Sequence, residues 1–177
     1  MLAYLFVLIA VAVRLGVAAK VIALPFAFTP VGGALLFFGA KMPRKQAWIP
    51  LALLAGSDII LTKLIYGYPF TADHYVSWAW YAVALGIGTL LTKNDSLVRV
   101  ASASLASSVS FFLLSNGAVW MVWNMYPKTL AGLGACYVAG IPFFRNSVIS
   151  DLVFAMTFFA IPVAIDLFRP EAARERA

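Results

Sequence analysis

The sequence predicts an all-α integral membrane protein: a bundle of six transmembrane helices with one extra short helix, outer-side or re-entrant. Three observations predict it. Of 177 residues, 63% are hydrophobic and only 11% charged, with a mean hydropathy of +0.93, whereas soluble domains run near ~45–50% apolar and ~25% charged. Apolar runs near the ~20-residue length of a membrane span recur along the whole chain. The basic residues gather in short connections and in the tail, as they do in cytoplasmic loops. No soluble module is left over, so residues 1–177 read as a single transmembrane domain. The net charge of +6 is then a matter of topology rather than of nucleic-acid binding, and nucleic acid is not expected as a partner.

The first span is Leu2–Leu24. It opens on MLAYLFVLIAVAV, which lacks a basic leading region and a convincing cleavage site, so it reads as a retained helix rather than a signal peptide. Thr29–Ala40 is short and rich in glycine and alanine; such a segment spans if tilted or packed inside the bundle, or is re-entrant. Lys41, Arg44 and Lys45 form a basic turn before Ala47–Tyr66. An aromatic loop then leads to Val76–Leu91, and Lys93 and Arg99 flank the next turn. Val98–Trp123 is the fifth span. Thr129–Phe144 is expected to stay on the outer side, leaving Ser147–Phe168 as the last span before Arg169, Arg174 and Arg176. Placing all three basic clusters in the cytoplasm requires both termini inside and an even number of crossings of the cell (inner, cytoplasmic) membrane.

Ionisable residues inside apolar runs are costly and face a partner or a wet cavity. Arg14 is near the middle of the first span and Asp58 near the middle of the third. An Arg14–Asp58 ion pair satisfies both, as a register-fixing contact or as part of a ligand site. Asp151 stands four residues into the last span, where the helix dipole favours a carboxylate. Trp120 and Trp123 lie four and seven residues after Asn116, so a continuing helix places them on one face. An amide beside two indoles suits a flat heterocycle or, equally, a packed helix end. Tyr137 lies in the same outer group.

Other features carry less chemistry. His74, the one histidine, lacks companions for a metal site. Cys136, the one cysteine, excludes an intrachain disulfide and reads as a small buried residue. Ser102, Ser104, Ser107, Ser108 and Ser110 suit close helix approach, as do Ala12 and Gly16 in the first span. No nucleophile-elbow, zinc-protease, Walker A or dinucleotide motif occurs, so the chain is not expected to be an enzyme, and no cofactor or metal is expected.

The order of motifs resembles a known group. A first span leads to Phe28-Thr29-Pro30-Val31-Gly32-Gly33, then a basic turn, then Gly56-Ser57-Asp58 within a span, then Tyr66-Gly67-Tyr68-Pro69-Phe70, an Asn/Trp-rich end of the fifth span and a basic tail. This is similar to the substrate-binding S components of energy-coupling-factor transporters. More narrowly, FTPVGGALLFFGA, GSDIIL and YPKTLAGLGACYVAGIPFFRNSVISDL resemble an uncharacterised family of bacterial membrane proteins of that type. The resemblance implies a six-helix bundle that captures a small, vitamin-like solute from the outer side. It also implies docking, through small residues of the first helix, on a membrane coupling subunit driven by two ATPases. Arg14 departs from the group at that helix, and the N-terminal histidine of its nickel and cobalt members is absent.

The expected function is therefore a solute-binding transport subunit in the lipid bilayer, with a site of Asp58, Asn116, Trp120, Trp123, Tyr137 and Asp151. A structural or assembly scaffold is the alternative. A membrane enzyme using Cys136 or paired carboxylates is a third class, for which the sequence offers no nucleophile–base pair.

Overall fold

The computed structural model describes residues 1–168, and the tail arginines Arg169, Arg174 and Arg176 lie outside them. Among the described residues there are six α-helices and no strand: α1 Leu2–Ala18, α2 Val31–Lys41, α3 Trp48–Ile59, α4 Asp73–Thr89, α5 Leu97–Val122 and α6 Leu130–Leu167. A 3₁₀ turn, Arg44–Gln46, leads into α3, and a π-helical segment, Ile60–Ile65, continues it.

Three helical stretches are long and apolar enough to cross a membrane: Arg44–Ile65, Leu97–Val122 and Leu130–Leu167. Only about a third or less of each is covered by the rest of the protein, which suits contact with lipid. Helix α2 is the opposite case. Its 11 residues reach about 16 Å at 1.5 Å per residue, short of the ~30 Å hydrocarbon core. All of Val31–Ala40 is buried. Thus α2 is the core around which the longer helices pack.

Close backbone approach makes that packing tight. A Cβ at Gly39 would overlap the carbonyl oxygen of Leu85, and one at Gly88 would overlap that of Leu36. The two glycines therefore let α2 and α4 meet backbone to backbone. Phe6 stacks on Phe158 at 4.2 Å between ring centres and meets Phe37 edge-on at 4.9 Å, joining α1, α2 and α6.

The chain reverses at every connection. Tyr4 donates to Gln46 at 2.9 Å, and Lys41 pairs with Asp95 at 2.6 Å. Lys41 also sits 5.9 Å above the Phe159 ring centre. The start of α1, the end of α2, the α4–α5 turn and the later turns of α6 thus share one end, which also carries Arg44 and Lys45. The opposite end holds the 19–30 and 66–72 connections and, beyond them, the α5–α6 turn.

One expectation is corrected. Thr129–Phe144 is not a separate outer or re-entrant helix: it is continuous with the last predicted span in the 38-residue α6. Pro142 lies inside that helix. A proline removes one backbone donor and clashes with the carbonyl four residues earlier, yet neighbouring helices tolerate such interruptions in membrane proteins. Here α5 runs alongside: Tyr137 donates to the Leu113 carbonyl at 2.9 Å, and Gly140 is flush against Asn116. At about 57 Å, α6 exceeds the hydrocarbon thickness, so its first turns and the end of α5 form a hairpin projecting past the other helices.

Candidate functional site: a charged cavity at the centre of the bundle

A cavity of about 400 Å³ opens among α1, the start of α2, α3 with its π-helical extension, α4, α5 and α6. Arg14, Asp58, Asp73, His74 and Asp151 all line it. Its volume falls in the range of small-molecule sites, ~300–1,000 Å³.

The first wall is an ion-paired cluster. The Arg14 guanidinium bonds Asp58 Oδ1 through Nη2. Its Nη1 donates to Ser57 Oγ at 3.0 Å and Tyr81 OH at 3.3 Å. Asp58 Oδ2 in turn accepts from Tyr81 OH and from Trp78 Nε1, both at 2.9 Å. A buried ion pair survives only when its remaining lone pairs and protons are satisfied. Here α4 supplies both extra donors, since Trp78 and Tyr81 stand three apart on one face.

The second wall is Asp151. It is the twenty-second residue of α6, counting from Leu130, not a first-turn residue. The dipole of its own helix therefore does nothing for it. The N-terminal turn of α2 takes that role: a Cβ at Gly32 would overlap Asp151 Oδ1, so only glycine lets the carboxylate reach that turn. Ser108 donates to Oδ2 at 2.6 Å. Among the described residues Oδ1 accepts no hydrogen bond and Asp151 has no salt-bridge partner.

The third wall is the mouth. The π-helical segment carries Thr62, whose Oγ1 is 3.0 Å from His74 Nε2. Nδ1 of His74 lies 3.1 Å from the Thr71 carbonyl oxygen, and its ring stacks on Phe70 at 4.1 Å. Single π turns in helices recur at functional sites, and this one takes over from α3 at Ile60, two residues beyond Asp58. Ala27, also on the lining, has φ +64°. A non-glycine residue in the left-handed region is strained and is held by its surroundings. Asn146 holds it on one side, donating to the Phe26 carbonyl at 3.1 Å. Ser150 holds it on the other, donating to the Thr29 carbonyl at 2.8 Å.

Of the residues singled out from sequence, Arg14, Asp58 and Asp151 thus meet at one cavity. Asn116, Trp120, Trp123 and Tyr137 do not line it. Their polar atoms hold the α5–α6 hairpin instead. Asn116 Nδ2 donates to the Phe112 carbonyl at 2.9 Å, and Trp120 Nε1 to that of Pro127 at 2.9 Å. Lys128 Nζ caps the carbonyls of Trp120, Met121 and Trp123, which suits the negative end of α5. Trp78, Trp80, Tyr81, Ser108 and Ala27 were not expected at a site. The first three lie in the WAWY run of α4, a pattern that does not say whether their polar tips meet a carboxylate or a backbone. Among the described residues no group of three His, Cys, Asp or Glu side chains is placed to hold a metal ion.

Fold and site together define a helical protein with membrane-length helices around an internal cavity lined by charged groups. The chain belongs to a family described as a family of unknown function, DUF6580, whose family model matches residues 1–171. No curated protein and no solved structure matches it.

Proposed function

We propose that this protein is a membrane-embedded solute-binding transport subunit that captures a small solute from the outer side. In this reading it is similar in role to the S components of energy-coupling-factor transporters. The observation that carries the reading is the cavity of about 400 Å³ lined by Arg14, Asp58 and Asp151 from three different helices. A scaffold whose only task is assembly gains by filling such a space, because buried charges cost stability unless they are put to use. The six alternating helices agree with six crossings of the cell membrane. In that topology the basic end, with both ends of the chain, faces the cytoplasm, and the cavity mouth faces outward.

A membrane coupling subunit with ATPases would then drive release. The surface of α1 suited to such a partner is its stripe of Leu5, Leu8, Ile9 and Ala12, all exposed. Gly16 is not part of it. The chain folds back after α1, and a Cβ at Gly16 would meet Ile22 at 2.7 Å.

The test is native mass spectrometry of the protein gently extracted from its host membrane. The expected outcome is a co-purifying small molecule of defined mass. A clean apo mass with a stable protein partner overturns solute binding in favour of an assembly scaffold.

A further inference from the structure

The charges on the cavity wall do not cancel. Asp58, Asp73 and Asp151 are three carboxylates against one guanidinium, Arg14. Arg14 is spent on Asp58, which already has three partners. Asp73 Oδ1 is also buried without a hydrogen-bond partner, 3.8 Å from His74 Nδ1, but its side chain is 28% exposed and sits in the first turn of α4, where the helix dipole favours it.

Asp151 is different. It is only 6% exposed. One oxygen is held by Ser108, and the other accepts no hydrogen bond among the described residues. Neither the serine nor the α2 terminus brings a counter-ion. A carboxylate this buried is satisfied by a positive charge in the space it faces.

The remaining walls say what kind of cation. Phe26, Tyr66, Trp80, Tyr81 and Phe111 line the same cavity. Aromatic faces attract cations, and more strongly where water is excluded. The volume far exceeds what a bare metal ion fills, and no ring of oxygen ligands surrounds Asp151. We propose that the cavity selects a small organic cation, its positively charged nitrogen held by the open oxygen of Asp151 and shielded by the aromatic walls. This rests on the solute-binding reading and names its substrate class. The Arg14–Asp58 cluster then acts as a neutral, rigid wall, and Asp151 is the recognition charge.

The test uses the full-length protein in lipid nanodiscs and three probes sharing one aromatic body: phenethylammonium, 2-phenylethanol and phenylacetate. Binding is read by isothermal titration. Phenethylammonium is expected to bind at least about tenfold more tightly than either of the others. Asp151→Asn is expected to erase that preference, and Asp151→Glu to retain part of it.

Should Asp151→Asn fail to fold, the wild-type ranking of the three probes still decides. Tighter binding of the alcohol or the carboxylate overturns the cationic assignment and leaves solute binding standing. Binding of none of the three, or an unchanged preference in a folded Asp151→Asn protein, also overturns it. Solute binding itself falls only with an apo mass in the native spectrum. Sodium chloride at equal ionic strength matching the effect of phenethylammonium overturns the organic part of the assignment.

Discussion

Arg14 and Asp58 show how one buried charge recruits a whole set of side chains. Both are mostly buried, at 17% and 10% side-chain exposure. Removing one member of such a pair leaves an uncompensated charge, which costs about 3–5 kcal/mol. Arg14→Met should therefore lower stability by about 3 kcal/mol, read as a drop in melting temperature in detergent. The double change Arg14→Met with Asp58→Asn should lose much less than the sum of the single changes. A loss in the double variant equal to the sum of the two single losses would show that Arg14 and Asp58 are not coupled. This part of the site was legible because an Arg or Asp in an apolar run has few cheap explanations. Tyr81 and Trp78 were not legible, because an aromatic residue in an apolar helix looks the same whether its polar tip meets a carboxylate or a backbone. The ambiguity misled in the other direction at Trp120 and Tyr137. Their spacing gave a face, but their tips found backbone carbonyls of the hairpin.

Packing between helices turns on a few positions where backbone meets backbone. Gly88 in α4 lies against the Leu36 carbonyl of α2, with Leu36 C and Cα at 3.0 Å from the position a Cβ would take. Backbone atoms cannot swing aside, so Gly88→Ala must push the two helices apart, at a cost of about 1–3 kcal/mol. Gly86, two residues earlier in the same helix, has nothing within 4 Å of a Cβ. Gly86→Ala should be neutral or stabilising by up to about 1 kcal/mol through helix propensity alone. Opposite melting shifts for the two variants would confirm the contact, and equal shifts would refute it. The Lys41–Asp95 bridge at the basic end illustrates the weak limit. The Lys41 ammonium holds the Asp95 carboxyl below the usual carboxylate range. A lowered folded-state pKa contributes stability above the unfolded value, near ~3.9, and loses it as pH falls through the folded value. With both side chains about 40% exposed, the effect is at most about 1 kcal/mol. Melting of Asp95→Asn should trail the wild type slightly at neutral pH and converge with it below about pH 3. Helix boundaries were less legible than helix existence. Arg145 and Asn146 after Pro142 read as a break, yet α6 runs through them: α5 lies alongside the turns before Pro142, and Asn146 is held by the Phe26 carbonyl.

Among the described residues the bundle reverses direction five times between its six helices, although only three of its helical stretches have the length and composition of spans. The short ones are explained by position. Helix α2 is sheathed by its neighbours, so its length need not match the bilayer, and α1 and α4, each of 17 residues, reach about 25 Å, nearly the hydrocarbon thickness. Hydropathy reports such helices poorly, since a window scores lipid-facing composition and not burial. Charge placement distinguishes the two ends instead: Arg44, Lys45 and the Lys41–Asp95 bridge mark one, while the cavity mouth and the projecting α5–α6 hairpin mark the other. In a membrane this arrangement predicts that the 90–96 turn and the 123–129 turn emerge on opposite sides. Asn94 and Asn124 are both exposed in those turns, so each suits a single cysteine in a Cys136→Ala background. A membrane-impermeant maleimide added to intact cells should label Asn124→Cys directly and Asn94→Cys only after permeabilisation. Labelling of both from outside would refute six crossings, because α5 would then not traverse the bilayer. The opposite pattern, with Asn94 outside, would keep the crossings but turn the protein over. The mouth between His74 and Thr62 would then open to the cytoplasm, and the direction of solute capture would reverse with it.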